Sequence, residues 1–250
     1  MSYSCENDGD GDSDCLEGPF GMTWYNGDIL VANEGRGGGG VSISRISGPA
    51  ASDAGAITTP WLAGLNGPSG LAWLSSPSDL LITDDTDGGR IHLHDTFAGT
   101  TSGSWGVGAG ASPLPGQNPN AIRTNAAGEA IVAFAGSGVI AKYTTSGGYC
   151  VLATGVATPQ AVEIHDGENK VWFTDSNINL FEVSMGPTGG CPASPPSCSA
   201  VPDCNGVAVG MDAVGSGAHT EGGLIKAGDN FYMSEYVSLC TLATSAWLVI

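Results

Sequence analysis

Residues 67–95 read GPSGLAWLSSPSDLLITDDTDGGRIHLHD. Gly67-Pro68-Ser69-Gly70 has the chemistry of a turn, because Gly and Pro supply dihedrals that other residues resist. Leu71-Ala72-Trp73-Leu74 is then a short apolar run, of the kind covered on both faces. Residues 75–79 make a second turn. Leu80-Leu81-Ile82-Thr83 is a second strand, closed by Asp84-Asp85. After the turn Asp87-Gly88-Gly89, Ile91-His92-Leu93-His94 alternates apolar and polar, the period of a strand with one covered face. Nothing here has helical periodicity. Three strands joined by tight turns make an antiparallel meander.

Weaker copies of this unit occupy residues 18–48, 118–148, 158–185 and 221–245. The turn prolines Pro19, Pro68, Pro119 and Pro159 lie 49, 51 and 40 residues apart, and Glu221 holds the matching place 62 residues further on. Repeats of about 40–50 residues with four strands each are the mark of propeller blades. Residues 56–62, 100–107 and 149–156 supply a fourth, outer strand to the first three copies, and 246–250 to the last. The second strands end Ala32-Asn33, Thr83-Asp84, Ala133-Phe134, Thr174-Asp175 and Ser234-Glu235, so four of the five ends are polar or acidic. The expected fold is an all-β propeller of four-stranded antiparallel sheets. Its five blades fall at about 18–66, 67–117, 118–157, 158–217 and 218–250. Residues 186–218 are rich in Cys and Pro and form an insertion tied by disulfide. Residues 205–210 within it read as an inner strand in the alternative of six blades. A β-sandwich with accidentally similar hairpins is the competing architecture.

The totals agree with an all-β chain. Forty Gly and fourteen Pro in 250 residues serve many turns, while 41% hydrophobic residues are enough for a core. Acidic residues number 25 against 7 basic ones, a net charge of −18. Nucleic acids and anionic membrane surfaces are poor partners for such a chain, and cations are natural ones. No apolar run is long enough to span a membrane. The seven cysteines, Cys5, Cys15, Cys150, Cys191, Cys198, Cys204 and Cys240, include no CxxC pair, so disulfides in an exported protein are the reading. Local spacing pairs Cys5 with Cys15 and two of Cys191, Cys198 and Cys204. No leader-like segment follows Met1, so a secreted or cell-surface protein would have lost its signal. No Asn-x-Ser/Thr sequon occurs.

The pattern P-x-G-apolar-A, a turn, an apolar strand ending Thr-Asp and then Gly-x-Ile resembles NHL-type propeller repeats. It is also similar to the blades of gluconolactonase-like (senescence-marker) and streptogramin-lyase propellers. The likeness covers residues 18–250 apart from the insertion. A gluconolactonase-like chain holds a divalent metal on the propeller axis, with a Glu from an E-G-P start and Asn residues after the blade proline. Glu17-Gly18-Pro19 and Pro119-Asn120 fit that pattern here. Ser69 and Gln160 replace Asn in the second and fourth copies, leaving Asp84, Asp175 or Glu235 to complete the set. The resemblance thus implies a second divalent ion and a metal-dependent lactonase or hydrolase. The His and Glu pair expected of streptogramin lyases has no clear counterpart.

The strongest chemical signal precedes the repeats. Residues 1–17 carry Glu6, Asp8, Asp10, Gly11, Asp12, Asp14 and Glu17 between and beside Cys5 and Cys15. The spacing Glu6-x-Asp8-x-Asp10-Gly11-x5-Glu17 is that of a calcium loop with Glu first, without the helices of an EF-hand. It resembles the Asp-rich repeats of thrombospondin-type segments. Closely spaced carboxylates repel one another unless a cation joins them, so Ca2+ is the expected cofactor. Glu17 is assigned to this loop rather than to the axis. A solvated acidic linker is the plain alternative.

Other features have plainer readings. Acids at second-strand ends tie turns by side-chain to backbone hydrogen bonds. His92 and His94 share a strand face, as a metal pair would, but a half-exposed polar face explains them as well. No Gly-x-Ser-x-Gly element exists, and GRGGGG at residues 35–40 lacks the Lys-Ser/Thr ending of a phosphate loop. The six tryptophans, at 24, 61, 73, 105, 172 and 247, pack between blades, with one or two available to line a carbohydrate site. An incomplete catalytic set beside intact repeats points to a calcium-stabilised module that binds a protein or glycan, or assembles with itself. The enzyme reading is the alternative.

Overall fold

The structure is a computed structural model. It describes residues 19–33, 41–48, 57–74, 79–84, 89–95, 100–105, 117–143, 148–165, 167, 169–177, 179–200, 203–208, 219–227, 230–239 and 242–249. The expected calcium loop, with Glu6, Asp8, Asp10, Asp12, Asp14 and Glu17, lies outside them, as do Cys5 and Cys15.

Among the described residues, nineteen strands fall into five antiparallel sheets. Blade 1 is β1 (Pro19–Tyr25), β2 (Asp28–Asn33), β3 (Ser42–Ile46) and β4 (Ile57–Ala63). Blade 2 is β5 (Pro68–Leu74), β6 (Asp79–Asp84), β7 (Arg90–Asp95) and β8 (Thr100–Trp105). Blade 3 is β9 (Pro119–Thr124), β10 (Ala130–Phe134), β11 (Val139–Tyr143) and β12 (Tyr149–Ala153). Blade 4 is β13 (Ala161–His165), β14 (Lys170–Thr174), β15 (Asn179–Ser184) and the short β16 (Val207–Ala208). Blade 5 has three strands, β17 (His219–Ala227), β18 (Asn230–Leu239) and β19 (Leu242–Val249). In each sheet the strands lie side by side in sequence order. The first strands touch in turn, β1 to β5, β5 to β9, β9 to β13, β13 to β17, and β17 back to β1, so they ring an axis. The protein is a five-bladed propeller.

Three details sharpen the expectation. The preferred five blades hold against the alternative of six, because Val207 and Ala208 pair with Leu180 and Asn179 as the outer strand of blade 4. The insertion therefore joins the third and fourth strands of one blade. Residues 246–250 are not a fourth strand. All but the last belong to β19, which pairs directly with β18. The third concerns the turn prolines. Pro68 already lies in β5, opposite Asp84, and the register shifts between Pro68 and Leu71. Pro19 and Met22 of β1 repeat this arrangement. A proline tolerates the first position of a strand because no ladder donor is needed there.

The core is built between blades. Leu30, Ala32 and Ile43 of blade 1 pack on Leu71, Leu80 and Ile82 of blade 2. Ala72, Leu74, Leu81 and Ile91 meet Ile122, Val132 and Phe134 of blade 3. Ile131, Ala133 and Ile140 meet Val162, Val171, Phe173 and Phe181 of blade 4. Both sheet faces are thus covered, which is why the second strands are continuous apolar runs. Near the axis the blades approach too closely for larger side chains. A Cβ on Gly70 would lie 2.7 Å from the Asn120 carbonyl oxygen and 2.8 Å from Thr83 Oγ1. The glycine of P-x-G is thus a spacing requirement of blades 1 and 2, at Gly21 and Gly70, while Ala121 and Ala161 fit the same place in blades 3 and 4.

Candidate functional site

The second residue of each P-x-G/A unit lies at the axis. Ser69 Oγ donates to the Pro119 carbonyl oxygen across the blade boundary (3.1 Å), and Asn120 Nδ2 donates to Gln160 Oε1 in the next blade (3.0 Å). Thr83 Oγ1 adds a 3.1 Å bond to the Asn120 carbonyl oxygen. Of the residues aligned with an axial metal site, Ser69, Asn120 and Gln160 form a neutral chain of hydroxyl and amides that fastens one blade to the next, while Glu17 lies outside the described residues.

The ring acids are occupied elsewhere. Asp84 accepts from Asn66 N–H (3.1 Å) and lies 3.2 Å from His92 Nε2. Asp175 Oδ1 accepts from Asn177 and Asn179 N–H (3.0 and 2.9 Å), and its Oδ2 accepts from Asn179 Nδ2 (2.9 Å). Both hold turns, as the side-chain chemistry of Asp predicts. In blade 1 Asn33 occupies the same place and donates to Ser44 Oγ (2.7 Å). Hard divalent ions are held chiefly by carboxylates. Among the described residues no three His, Cys, Asp or Glu side chains gather. The described donors on the axis do not fit a divalent ion.

The two histidines go separate ways. His92 meets Asp84, whereas His94 is 4% exposed and sets its ring edge-on to Trp61 of blade 1, 5.9 Å away. The half-exposed strand face expected for them is wrong at His94, because blade 1 covers it.

An open cleft of about 270 Å³ lies beside the axis, at the end where the first strands finish. Residues 22–24 of β1, 71–73 of β5 and 123–124 of β9 line it. Beside it the repeat has an anomaly. Leu71, Ile122 and Val162 hold equivalent positions in blades 2–4, face the preceding blade, and are 0–1% exposed. Met22 holds that position in blade 1 and is 56% exposed; Trp24, two residues on, is 54% exposed. The cross-strand partner of Met22, Val31, is fully buried, whereas that of Trp24, Ile29, is half-buried. On the other side of β1, Tyr25 packs edge-on to Trp73 at 4.8 Å. Arg123 enters the cleft from β9 with its Nε 3.5 Å from Glu163 Oε2. Sequence reasoning assigned most of the six tryptophans to packing between blades and left open which of them would line a site.

The comparisons agree on architecture. A structure of virginiamycin B lyase from Staphylococcus aureus superimposes with a TM-score of 0.57, over 91% of this chain and 69% of that one, at 15% identity. A structure titled streptogramin B lyase gives 0.57, over 93% and 69%, at 15% identity. Hydrazine synthase of Kuenenia stuttgartiensis gives 0.57, over 98% and 66%, at 14% identity. The fold is a streptogramin-lyase-like propeller. At such low identity the likeness is one of fold, and the chain spans roughly two thirds of those longer chains. No family model and no curated protein matches the sequence.

Beyond the axis, the insertion is fastened to blade 3. Cys150 of β12 is bonded to Cys191, and Cys198 to Cys204. The second bond is one of the local pairs that spacing left open; the first was not foreseen. Lys142 of β11 is fully buried, with Nζ 2.9 Å from the Pro187 carbonyl oxygen and 3.3 Å from Glu129 Oε1. Glu129 also accepts from Gly189 N–H (2.7 Å) and Asn125 Nδ2 (2.9 Å). Burial alone would raise the Glu129 carboxyl pKa. The bonds from Gly189 and Asn125 and the charge of Lys142 outweigh burial and hold it below the ordinary 4.5. A lowered folded pKa contributes stability that is present above the unfolded value and lost as pH falls through the folded one. The stability gap between the native chain and Glu129→Gln should therefore be widest at neutral pH and narrow below about 4.5. Urea unfolding at pH 7 and pH 3.5 measures it, and an unchanged gap would refute the coupling.

Proposed function

We propose that this chain is an extracellular, calcium-steadied propeller that binds a ligand in the axial cleft, rather than a hydrolase. The exposure of Met22 and Trp24 carries the reading. Met22 is exposed at a position that is buried in the other four blades, at Leu71, Ile122, Val162 and Leu224, and exposed apolar side chains of this kind support a binding surface. Two of the acids that a hydrolase would bring to the axis, Asp84 and Asp175, instead hold turns. Two disulfides, the acidic composition and the absence of a long apolar helix among the described residues support an extracellular setting. A protein or glycan ligand and self-assembly are the occupants to screen. Ligands found by thermal shift should lose their effect in Trp24→Ala; metal-dependent turnover of a lactone would sink the reading.

Calcium is assigned to Glu6, Asp8, Asp10, Asp12, Asp14 and Glu17, on the carboxylate spacing. Chelation should lower the melting temperature, and millimolar Ca2+ should restore it. A melting temperature indifferent to chelator would count against calcium at this loop.

A further inference from the structure

We infer that the outer edge of blade 5 is an interface between two copies of this chain, which pair antiparallel along β19. The inference is independent of the cleft, which is lined by β1, β5 and β9. Two observations carry it. The first is a missing strand. Blades 1–4 each have four strands, whereas blade 5 ends at β19, and among the described residues no strand pairs with the outer edge of β19. That edge is also long and regular. β19 matches β18 over eight successive pairs, from Leu239↔Leu242 to Tyr232↔Val249, with no shift of register. The backbone N–H and C=O groups along its outer side are a template for one more strand.

The second observation is that the other outer strands are protected and β19 is not. β4 contains Pro60, and its register on β3 shifts between Ile43 and Arg45. β8 contains Gly103, and its register on β7 shifts between Leu93 and His94. β12 has a shift between Ile140 and Ala141 of its partner. The insertion also runs past its end, with Thr154 N–H donating to the Pro196 carbonyl oxygen (3.0 Å) and Cys198 N–H to the Thr154 carbonyl oxygen (2.8 Å). β16 is only two residues long. Bulges, prolines, short strands and charges are the means by which sheets keep their edges from joining. β19, with the sequence LATSAWLV, has no proline, no glycine and no charged residue. Charge and symmetry name the occupant. The chain carries a net charge of −18, yet residues 236–250 include no Asp, Glu, Lys or Arg. Two copies that repel elsewhere can meet along this stretch without setting like charges opposite each other. A different protein would need an unpaired strand of its own, and a second copy brings one. Antiparallel pairing of β19 with itself satisfies both edges about one two-fold axis and joins two three-stranded blades into a sheet of six.

Sedimentation equilibrium across the micromolar range tests the interface, with hydrogen exchange followed by mass spectrometry at the two ends of that range. A monomer–dimer equilibrium with no larger species is expected, because a two-fold contact closes at two copies. Amides of residues 242–249 should exchange more slowly at high concentration than at low, while those of β6 stay unchanged. The double variant Thr244→Lys with Ser245→Lys puts one charge on each face of the strand, since consecutive residues alternate. It should raise the dissociation constant of the dimer by at least about tenfold. Far-UV circular dichroism verifies that it folds; if it does not, the exchange of the native chain decides. Cys240→Ser should dimerise like the native chain, because the contact is not a disulfide. Trp24→Ala should do so too, which keeps this test apart from that of the cleft. A monomer at every concentration, an open series of larger species, or protection of residues 242–249 that ignores concentration would overturn the inference. So would a folded double variant that dimerises undiminished.

Discussion

Replacing Lys142 with alanine should destabilise the protein by about 3–5 kcal/mol, the usual cost of stranding one partner of a buried ion pair. Lys142 is fully buried, and Glu129 beside it has a side chain 5% exposed. The substitution removes the donor to the Pro187 carbonyl oxygen and the countercharge of Glu129 together. For a chain of 250 residues the loss corresponds to a melting-temperature drop on the order of 10 °C. Thermal and urea unfolding measure it, and a loss below about 0.5 kcal/mol would place Lys142 among ordinary surface residues. The double change Lys142→Met with Glu129→Gln discriminates the cause. If the cost is the uncompensated carboxylate, the double variant recovers most of it, because apolar or neutral replacements of a whole buried pair are often nearly neutral. If the cost is the lost anchor on Pro187, the double variant stays as unstable as the single one.

This residue also shows what the sequence could and could not reveal. Val139-Ile140-Ala141-Lys142-Tyr143 reads as a strand, and its period is right. Nothing local says that Lys142 is interior, because what covers it arrives from residues 186–191, in the next blade. The same limit applies to Cys150 and Cys191, which are 41 residues apart, whereas Cys198 and Cys204, six apart, are one of the pairs that spacing left open among Cys191, Cys198 and Cys204. The blades were legible because their signals are local and repeated: a proline at the strand start, a glycine where backbones nearly touch, an acid that ties the next turn. Asp84 and Asp175 follow that logic. Met22 and Trp24 do not. Their residue types match buried neighbours in other blades, and their exposure arises where the ring meets itself, a global property absent from any single repeat. The short β16 was left open between blade 4 and a sixth blade for a related reason. Two residues beyond a disulfide-rich insertion carry no periodicity, and only their pairing with Leu180 and Asn179 assigns them to blade 4.

Removing the Cys150–Cys191 bond, by serine at both positions, should cost about 4 kcal/mol, and removing Cys198–Cys204 only about half as much. The difference follows from the chain each bond closes, 41 residues against 6, since the entropy withheld from the unfolded chain grows with the logarithm of loop length. Position adds to it. Cys150 pairs across β11–β12 with Lys142, so the bond and the buried ion pair hold the same arm to the same spot on blade 3. Two fastenings of one element are not independent. Once the bond is gone the arm can lift, water reaches Glu129, and losing Lys142 matters less. The combined variant should therefore lose less stability than the separate losses added together, with a coupling of about 1–3 kcal/mol. Strict additivity would mean that the arm is held in place without either fastening, and that blade 3 and the insertion pack by their apolar contacts alone.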